Sequence, residues 1–270
     1  MTRSTLHELQ PRTALDEHPQ FASTLANGFD VLRCFSAARP VLGNKDIAES
    51  LGLSKPTVSR LTFTLVALGY LSRDEETRKY AIAPAVLSLG YPLLVQLTVR
   101  RLAEHGMFDL ARFARGPVSI GMRDRLQVVY VETVHDRDNN GAKPDIGSTR
   151  PLLRTAIGHA LLCAHAPNDR ELLLELLAAQ EPEHNDSGRQ ALAASAQAIE
   201  ERGFCMSHGA WRSDLIGVAA PLRFKANGMP LAVNVTLPAT AGQSDWIEQE
   251  VGPRLVSFVR DLDSRLGAEV

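Results

Sequence analysis

Between residues 54 and 63 the chain reads SKPTVSRLTF, and its polar members are the types that contact duplex DNA. Arg and Lys donate to guanine edges and to phosphates, and Ser and Thr hydroxyls serve both. Spacing gives the set a direction. On a helix, Val58, Leu61, Leu65 and Leu68 share one face. Rotation then turns Pro56, Ser59, Arg60 and Phe63 to the opposite side. Lys55 and Thr57 flank the start, near the anion-attracting helix N-terminus. The chemistry on offer is recognition of a charged duplex rather than bond making.

Such a helix needs a frame, and Asn44–Gly69 supplies one. Asn44 is expected to cap a first helix over 45–51, in which Ile47, Ala48 and Leu51 form an apolar stripe. Gly52 suits the left-handed residue that ends it, and Leu53 fills the angle to the next helix. Ser54 caps that second helix, and Pro56 sits in its first turn, where no intrahelical N–H is required. Two helices joined this way read as a helix-turn-helix, with the second helix in the major groove. The segments 70–73 and 79–83 alternate like strands around the polar tip DEETR, forming a wing whose Arg73, Arg78 and Lys79 can reach the backbone. Asn44, Lys45, Ser54, Lys55, Pro56, Thr57, Ser59, Arg60, Phe63, Arg73, Arg78 and Lys79 are therefore the expected contacts with double-stranded operator DNA.

Catalytic chemistry finds no such pattern. There is no G-x-S-x-G, no Gly-rich phosphate loop and no S-x-x-K set, so no enzyme is expected. The eight histidines include no HExxH or i,i+4 pair, and Cys34, Cys163 and Cys205 are far apart without a CxxC, so neither a metal nor a cofactor is expected. DRDNNG at 136–141 imitates the start of a calcium loop, but its twelfth position is Gly147 instead of a bidentate Glu, and an exposed loop is the reading.

A ligand cavity is easier to argue. In the strand 231–238, Asn234 and Thr236 share a face and offer a hydrogen-bonding wall, though the same pattern fits a solvated face. Gly147 and Ser148 precede a helix N-terminus, which favours an anion. Ser207, His208 and Trp211 lie just before another strand. Together these suggest a site for a small organic acid.

The rest of the pattern sets the scale. A chain of 270 residues with 44% apolar content can build one or two ordinary cores. Residues 1–20 are polar and read as a mobile tail, with no apolar signal core, so a cytoplasmic protein without a membrane span is expected. The net charge is −2. Residues 1–96 carry ten Lys/Arg against nine Asp/Glu, and the remainder nineteen against twenty-two, so any DNA-binding surface is local and its salt slope modest. Residues 84–115 read as helical, with Pro92 marking two helices or a kink. Their apolar content suggests a linker helix that packs on a second copy. Beyond, hairpin strands near 117–122 and 127–134, helices near 155–165, 169–178 and 187–202, strands 215–222 and 231–237, and a closing helix near 244–266 define an α+β domain.

The ordered segments NGFDVLRCF (27–35), DIAESLGLSKPTVSRL (46–61), KYAIAPAVLSLG (79–90), PLLRTAIGHALL (151–162), RGFCMSH (202–208) and IGVAAPLR (216–223) resemble the isocitrate lyase regulator (IclR) family of bacterial transcription factors. That resemblance implies a winged helix-turn-helix at 21–83, a linker helix at 84–98 and a GAF-like α/β effector-binding domain at 99–270. It also implies a homodimer or homotetramer and an effector site drawn from Met122, Gly147, Ser148, Leu152, Thr155, Ser207, His208, Trp211, Ile216, Asn234 and Thr236; a repressor is expected only because repression needs no polymerase contact. The chain departs from the family where a His and a basic residue are common, carrying Leu153 and His159. It also carries His208 and Trp211 where acidic residues are common, which points to an aromatic or larger apolar acid. The alternatives are a second domain that is an enzyme, or one that only oligomerises.

Overall fold

The computed structural model describes residues 18–135, 144–240 and 242–268. Residues 1–17 of the expected tail and the DRDNNG segment lie outside that range. The chain divides into two compact units, one ending at Gln96 and one beginning at Leu97.

The first unit is built from α1 (Ser23–Arg33), β1 (Val41–Leu42), α2 (Asn44–Leu51), α3 (Lys55–Ala67), β2 (Leu71–Arg73), β3 (Tyr80–Ile82) and α4 (Ala85–Gln96). Val31, Ile47, Ala48, Val58, Leu61, Leu65, Leu71 and Tyr80 close a small core. Two left-handed glycines set the corners. Gly52 (φ 64°) ends α2 and lets the Leu53 N–H return to the Ala48 carbonyl at 3.2 Å. Gly69 (φ 77°) follows α3, with the Tyr70 N–H reaching back to the Leu65 carbonyl at 2.8 Å, the pattern of a Schellman stop. The expected wing is present, and β1 joins it to give the antiparallel order β1-β3-β2. A two-residue strand is too short to show alternation, which is why the sequence did not betray β1.

Three local expectations change. Asn44 is not the cap of α2. Gly43 holds that position, with its N–H donating to the Asp46 carboxylate at 2.8 Å. The Asn44 side chain instead accepts from the Thr62 hydroxyl at 3.3 Å, pinning α2 to α3. Leu68 leaves the buried face and is 61% exposed, while Thr62 is fully buried. Thr62 can be buried because its hydroxyl also donates to the Val58 carbonyl at 2.9 Å, which satisfies the polar atom. Pro92 does not break α4; the helix runs on to Gln96, and the break falls at Leu97.

The second unit opens with α5 (Thr98–Ala114), β4 (Val118–Asp124) and β5 (Gln127–Val134). Then come β6 (Thr149–Pro151), α6 (Ala156–Cys163), α7 (Pro167–Gln180), α8 (Asn185–Arg202), β7 (Cys205–His208), β8 (Leu215–Ala226) and β9 (Met229–Pro238). Ser244–Trp246 and a π turn at Ile247–Val251 lead into α9 (Gly252–Ala268). The six strands form one antiparallel sheet, β6-β5-β4-β9-β8-β7. Asn227 (φ 51°) and Gly228 (φ 78°) turn the β8–β9 hairpin, as an Asn-Gly pair does in the turn that matches strand twist. One sheet face carries Val128, Tyr130, Ala219 and Ala232 against α6, α7 and α8. The other packs on α5 and α9. The result is an α+β architecture, a winged helix-turn-helix followed by an α/β domain.

Candidate DNA interface and effector cavity

The first candidate site is the outward face of α3. Ser54 starts the helix: its hydroxyl accepts from the Thr57 N–H at 3.3 Å and meets the Thr57 hydroxyl at 2.8 Å. Pro56 sits in the first turn. Val58, Leu61 and Leu65 are buried, so Lys55, Pro56, Ser59, Arg60 and Phe63 are turned outward. Phe63 is 74% exposed. In the wing, Arg73, Arg78 and Lys79 are exposed, and Asp74 shapes the tip by accepting from the Thr77 N–H and hydroxyl, each at 2.6 Å. Those bonds hold the Asp74 carboxyl below its ordinary value. Among the described residues, Lys55, Arg60, Arg73, Arg78 and Lys79 have no carboxylate partner. Lys45 differs, lying 3.8 Å from Glu49. The wing balances Arg73, Arg78 and Lys79 with Asp74, Glu75 and Glu76, so the local positive excess lies on α3, whose Lys55 and Arg60 meet no acidic residue on that helix.

The second is a cavity in the α/β unit, at the N-terminus of α6. Tyr130 of β5, Arg150 of β6, Thr155, Ala156 and Ile157 of the α6 start, Ser207 of β7, Trp211, Gly217 of β8, and Asn234 and Thr236 of β9 line it. Thr155 caps α6, accepting from the Gly158 N–H at 3.2 Å and donating to the Pro151 carbonyl at 2.8 Å. Gly158 is required there, because a Cβ would stand 1.9 Å from the Leu152 carbonyl oxygen. Asn234 is 3% exposed. Its amide nitrogen donates to the Thr236 hydroxyl at 3.0 Å, while its Oδ1 is buried without a partner among the described residues. The Tyr130 hydroxyl lies beside Asn234, Arg150 and Thr236, and burial pushes its pKa above the ordinary phenol value. The Arg150 guanidinium lies 4.7 Å from the Trp211 ring centre and 5.0 Å from that of Tyr130.

The expected effector residues divide cleanly. Thr155, Ser207, Trp211, Asn234 and Thr236 converge on the cavity. Met122 and Ile216 do not, because strand alternation faces them the other way: Met122 pairs with Leu231 and Ile216 with Leu237, one step out of phase with Asn234 and Thr236. Leu152 is buried in the core beneath α6. Gly147 and Ser148 form the turn before β6, where the Ser148 hydroxyl donates to the Asp145 carbonyl at 2.7 Å. His208 is exposed at the end of β7.

A profile described as the IclR helix-turn-helix domain matches residues 24–75. A second, the C-terminal domain of bacterial transcriptional regulator IclR, matches residues 92–264. The chain belongs to the IclR family. It is 33% identical over 247 residues to the HTH-type transcriptional regulator TsaQ1/TsaQ2 of Comamonas testosteroni, spanning 91% of this chain and 88% of that one. An IclR family transcriptional regulator from Brucella abortus superposes with a TM-score of 0.82 at 39% identity, covering 92% of this chain and 94% of that one. An IclR homologue from Microbacterium hydrocarbonoxydans, complexed with 4-hydroxybenzoate, has a TM-score of 0.64 at 20% identity, covering 88% and 99%, and so shares the fold.

This IclR protein is a DNA-binding transcriptional regulator. Its departures from the family pattern have structural consequences. His159 is 1% exposed. Its ring bridges the Leu153 carbonyl and the Ser195 hydroxyl, each at 2.8 Å. Burial holds it below its ordinary value, so the neutral ring joins α6 to α8. Trp211 lines the cavity and brings a partner the sequence did not reveal. Tyr130 and Arg150 were hidden for a simple reason. They lie on different strands, and only the β5–β6 pairing, with Val128 opposite Arg150, brings them to one wall. Among the described residues, no helix is long and apolar enough to cross a membrane.

Proposed function

We propose that α3 enters the major groove, with Lys55, Thr57, Ser59, Arg60 and Phe63 at base edges and phosphates, while Arg73, Arg78 and Lys79 of the wing, and Lys45 and Ser54 at the rim, hold the backbone. Asn44 acts through α3 rather than on DNA, because its side chain is bonded to Thr62. The α/β unit, residues 97–270, takes a small organic acid in the cavity around Asn234 and Thr236. Its role is sensing, not turnover. The protein works as a cytoplasmic homo-oligomer, and acid binding changes operator occupancy, most simply by relieving repression. Allosteric coupling of this kind is typically ~1–3 kcal/mol, or several-fold to about a hundredfold in occupancy.

The observation that supports this best is the unpaired outward row of α3 beside an equally unpaired wing. The test is an operator selected from random duplexes, then titrated with and without a panel of organic acids. Sequence-specific binding that one acid weakens is the expected result. Binding that no acid changes would reduce the α/β unit to an assembly module.

A further inference from the structure

The cavity is electrostatically one-sided. Three arginines line it, Arg150, Arg154 and Arg212, and no Asp or Glu does. Two of them are already neutralised. Arg154 lies 3.6 Å from Glu181, and Arg212 forms a fork with Asp214 at 3.0 and 2.6 Å. Arg150 has no carboxylate partner among the described residues. It is half-buried, over two ring faces, beside the Tyr130 hydroxyl and 2.6 Å from the Thr149 carbonyl. A guanidinium drawn out of water without an anion is poorly compensated, and a carboxylate is the group that matches it, through paired charge-assisted hydrogen bonds. The N-terminal end of α6 forms the neighbouring wall and adds partial positive charge.

Asn234, which lies with Arg150 beside the Tyr130 hydroxyl, asks for something else. Asn234 Oδ1 is a buried acceptor with no donor. A carboxylate at neutral pH has none to offer, so a second ligand group must supply a donor, and a hydroxyl is the smallest that does. Tyr130 and Trp211 line the same cavity and offer it aromatic faces.

We infer that Arg150 is the residue that reads the effector's negative charge, and that the effector is a planar hydroxy-acid whose hydroxyl answers Asn234. This rests on the cavity being the effector site. It also makes Arg150 a moving part. The cavity measures about 40 Å³, room for a few waters but not for a ring. An aromatic acid fits only when the guanidinium leaves the Trp211 and Tyr130 faces and pairs with the carboxylate. Arg150 thus exchanges a cation–π partner for an ionic one, and Trp211 feels the change directly.

The full chain carrying Trp246→Phe leaves Trp211 as its single tryptophan. That protein is titrated with 3- and 4-hydroxybenzoate, benzoate and 4-hydroxybenzamide, by calorimetry and by tryptophan emission. At least one hydroxybenzoate binds with an emission change, more tightly than benzoate or the amide. Arg150→Gln weakens the acid on the order of 10- to 100-fold, erases its advantage over the amide and removes the emission change. Asn234→Leu erases the advantage over benzoate and keeps the preference for acid. The inference is overturned if no panel member binds, or if Arg150→Gln binds the acid as tightly as its parent. Ser207→Trp, which fills the cavity, separates the two failures. If it abolishes binding that Arg150→Gln spares, the cavity stands and the role of Arg150 falls. If binding survives both, the cavity itself is not the effector site.

Discussion

Phe63 shows what a single residue adds to this regulator. A phenyl ring 74% exposed on a short helix is an uncompensated surface unless something covers it. It stands one turn beyond Ser59 and Arg60, on the same outward side. In a major groove its natural neighbour is the thymine 5-methyl group, the one apolar feature that base edges offer there. Phe63→Ala should therefore weaken the selected operator several-fold, and replacing the contacted thymine with deoxyuridine should weaken the parent and leave the variant unchanged. Equal sensitivity of both proteins to the missing methyl would place Phe63 elsewhere. Arg60→Ala should lose ~1–3 kcal/mol of specific binding if its guanidinium reads a base, measured by gel-shift titration against scrambled duplex. Both residues were legible in the sequence because helical rotation alone assigns an outward face. Arg150 was not. Its significance comes from what it meets on another strand, and periodicity along one strand carries no such information.

At the scale of elements, α6 is the piece that decides the cavity. Its start forms one wall, and its body is pinned by His159 between the Leu153 carbonyl and the Ser195 hydroxyl of α8. Burial keeps the ring neutral, so one nitrogen donates to one of these partners and the other accepts; with Leu153 offering only a carbonyl, the hydroxyl is the donor to the ring. His165, just past the end of α6, is also depressed, to about 4, first by burial and then by Arg123, with Lys225 adding less and Asp169 opposing. Both groups have folded values below their unfolded ones. The unfolded chain then binds more protons at mildly acidic pH, so stability is complete above the ordinary histidine range and falls as pH drops through it towards 4. Urea midpoints should be level from pH 8 to about 7 and decline below about 6.5. His165→Gln should flatten the lower part of that decline, and an unchanged profile would move the acid sensitivity to the carboxylates. Gly158→Ala should destabilise by about 1–3 kcal/mol or prevent folding, since the new methyl meets the Leu152 backbone; a calorimetric melt equal to the parent's would contradict the packing. The long elements were legible because 12- and 10-residue strands and 13- to 18-residue helices show several periods. The strands β6 and β7, of three and four residues, are too short to show a period, and they carry Arg150 and Ser207.

The whole molecule is governed by what α4 leaves uncovered. Its twelve residues include none that is buried. Leu87 is 76% exposed, Tyr91 65%, Val95 60% and Leu89 54%. A contiguous apolar helix surface of this kind marks a contact that its own unit does not make. A second copy is the occupant we propose, because paired operator half-sites reward paired recognition helices. The arithmetic is steep. Once one α3 is bound, tethering presents the other at an effective concentration in the millimolar range, and the avidity gain reaches ~10²–10⁴. Leu87→Glu with Tyr91→Glu places two charges on that surface without touching a buried side chain. The thermal midpoint of the winged unit should barely move at low protein concentration, sedimentation should report a smaller species, and affinity for a two-half-site operator should fall by at least ~100-fold. Affinity for a single half-site should stay where it was, since α3 and its contacts are untouched. If the double variant keeps both its mass in solution and its tight operator binding, the assembly is held by another surface, and the exposed leucines of α4 need a different explanation.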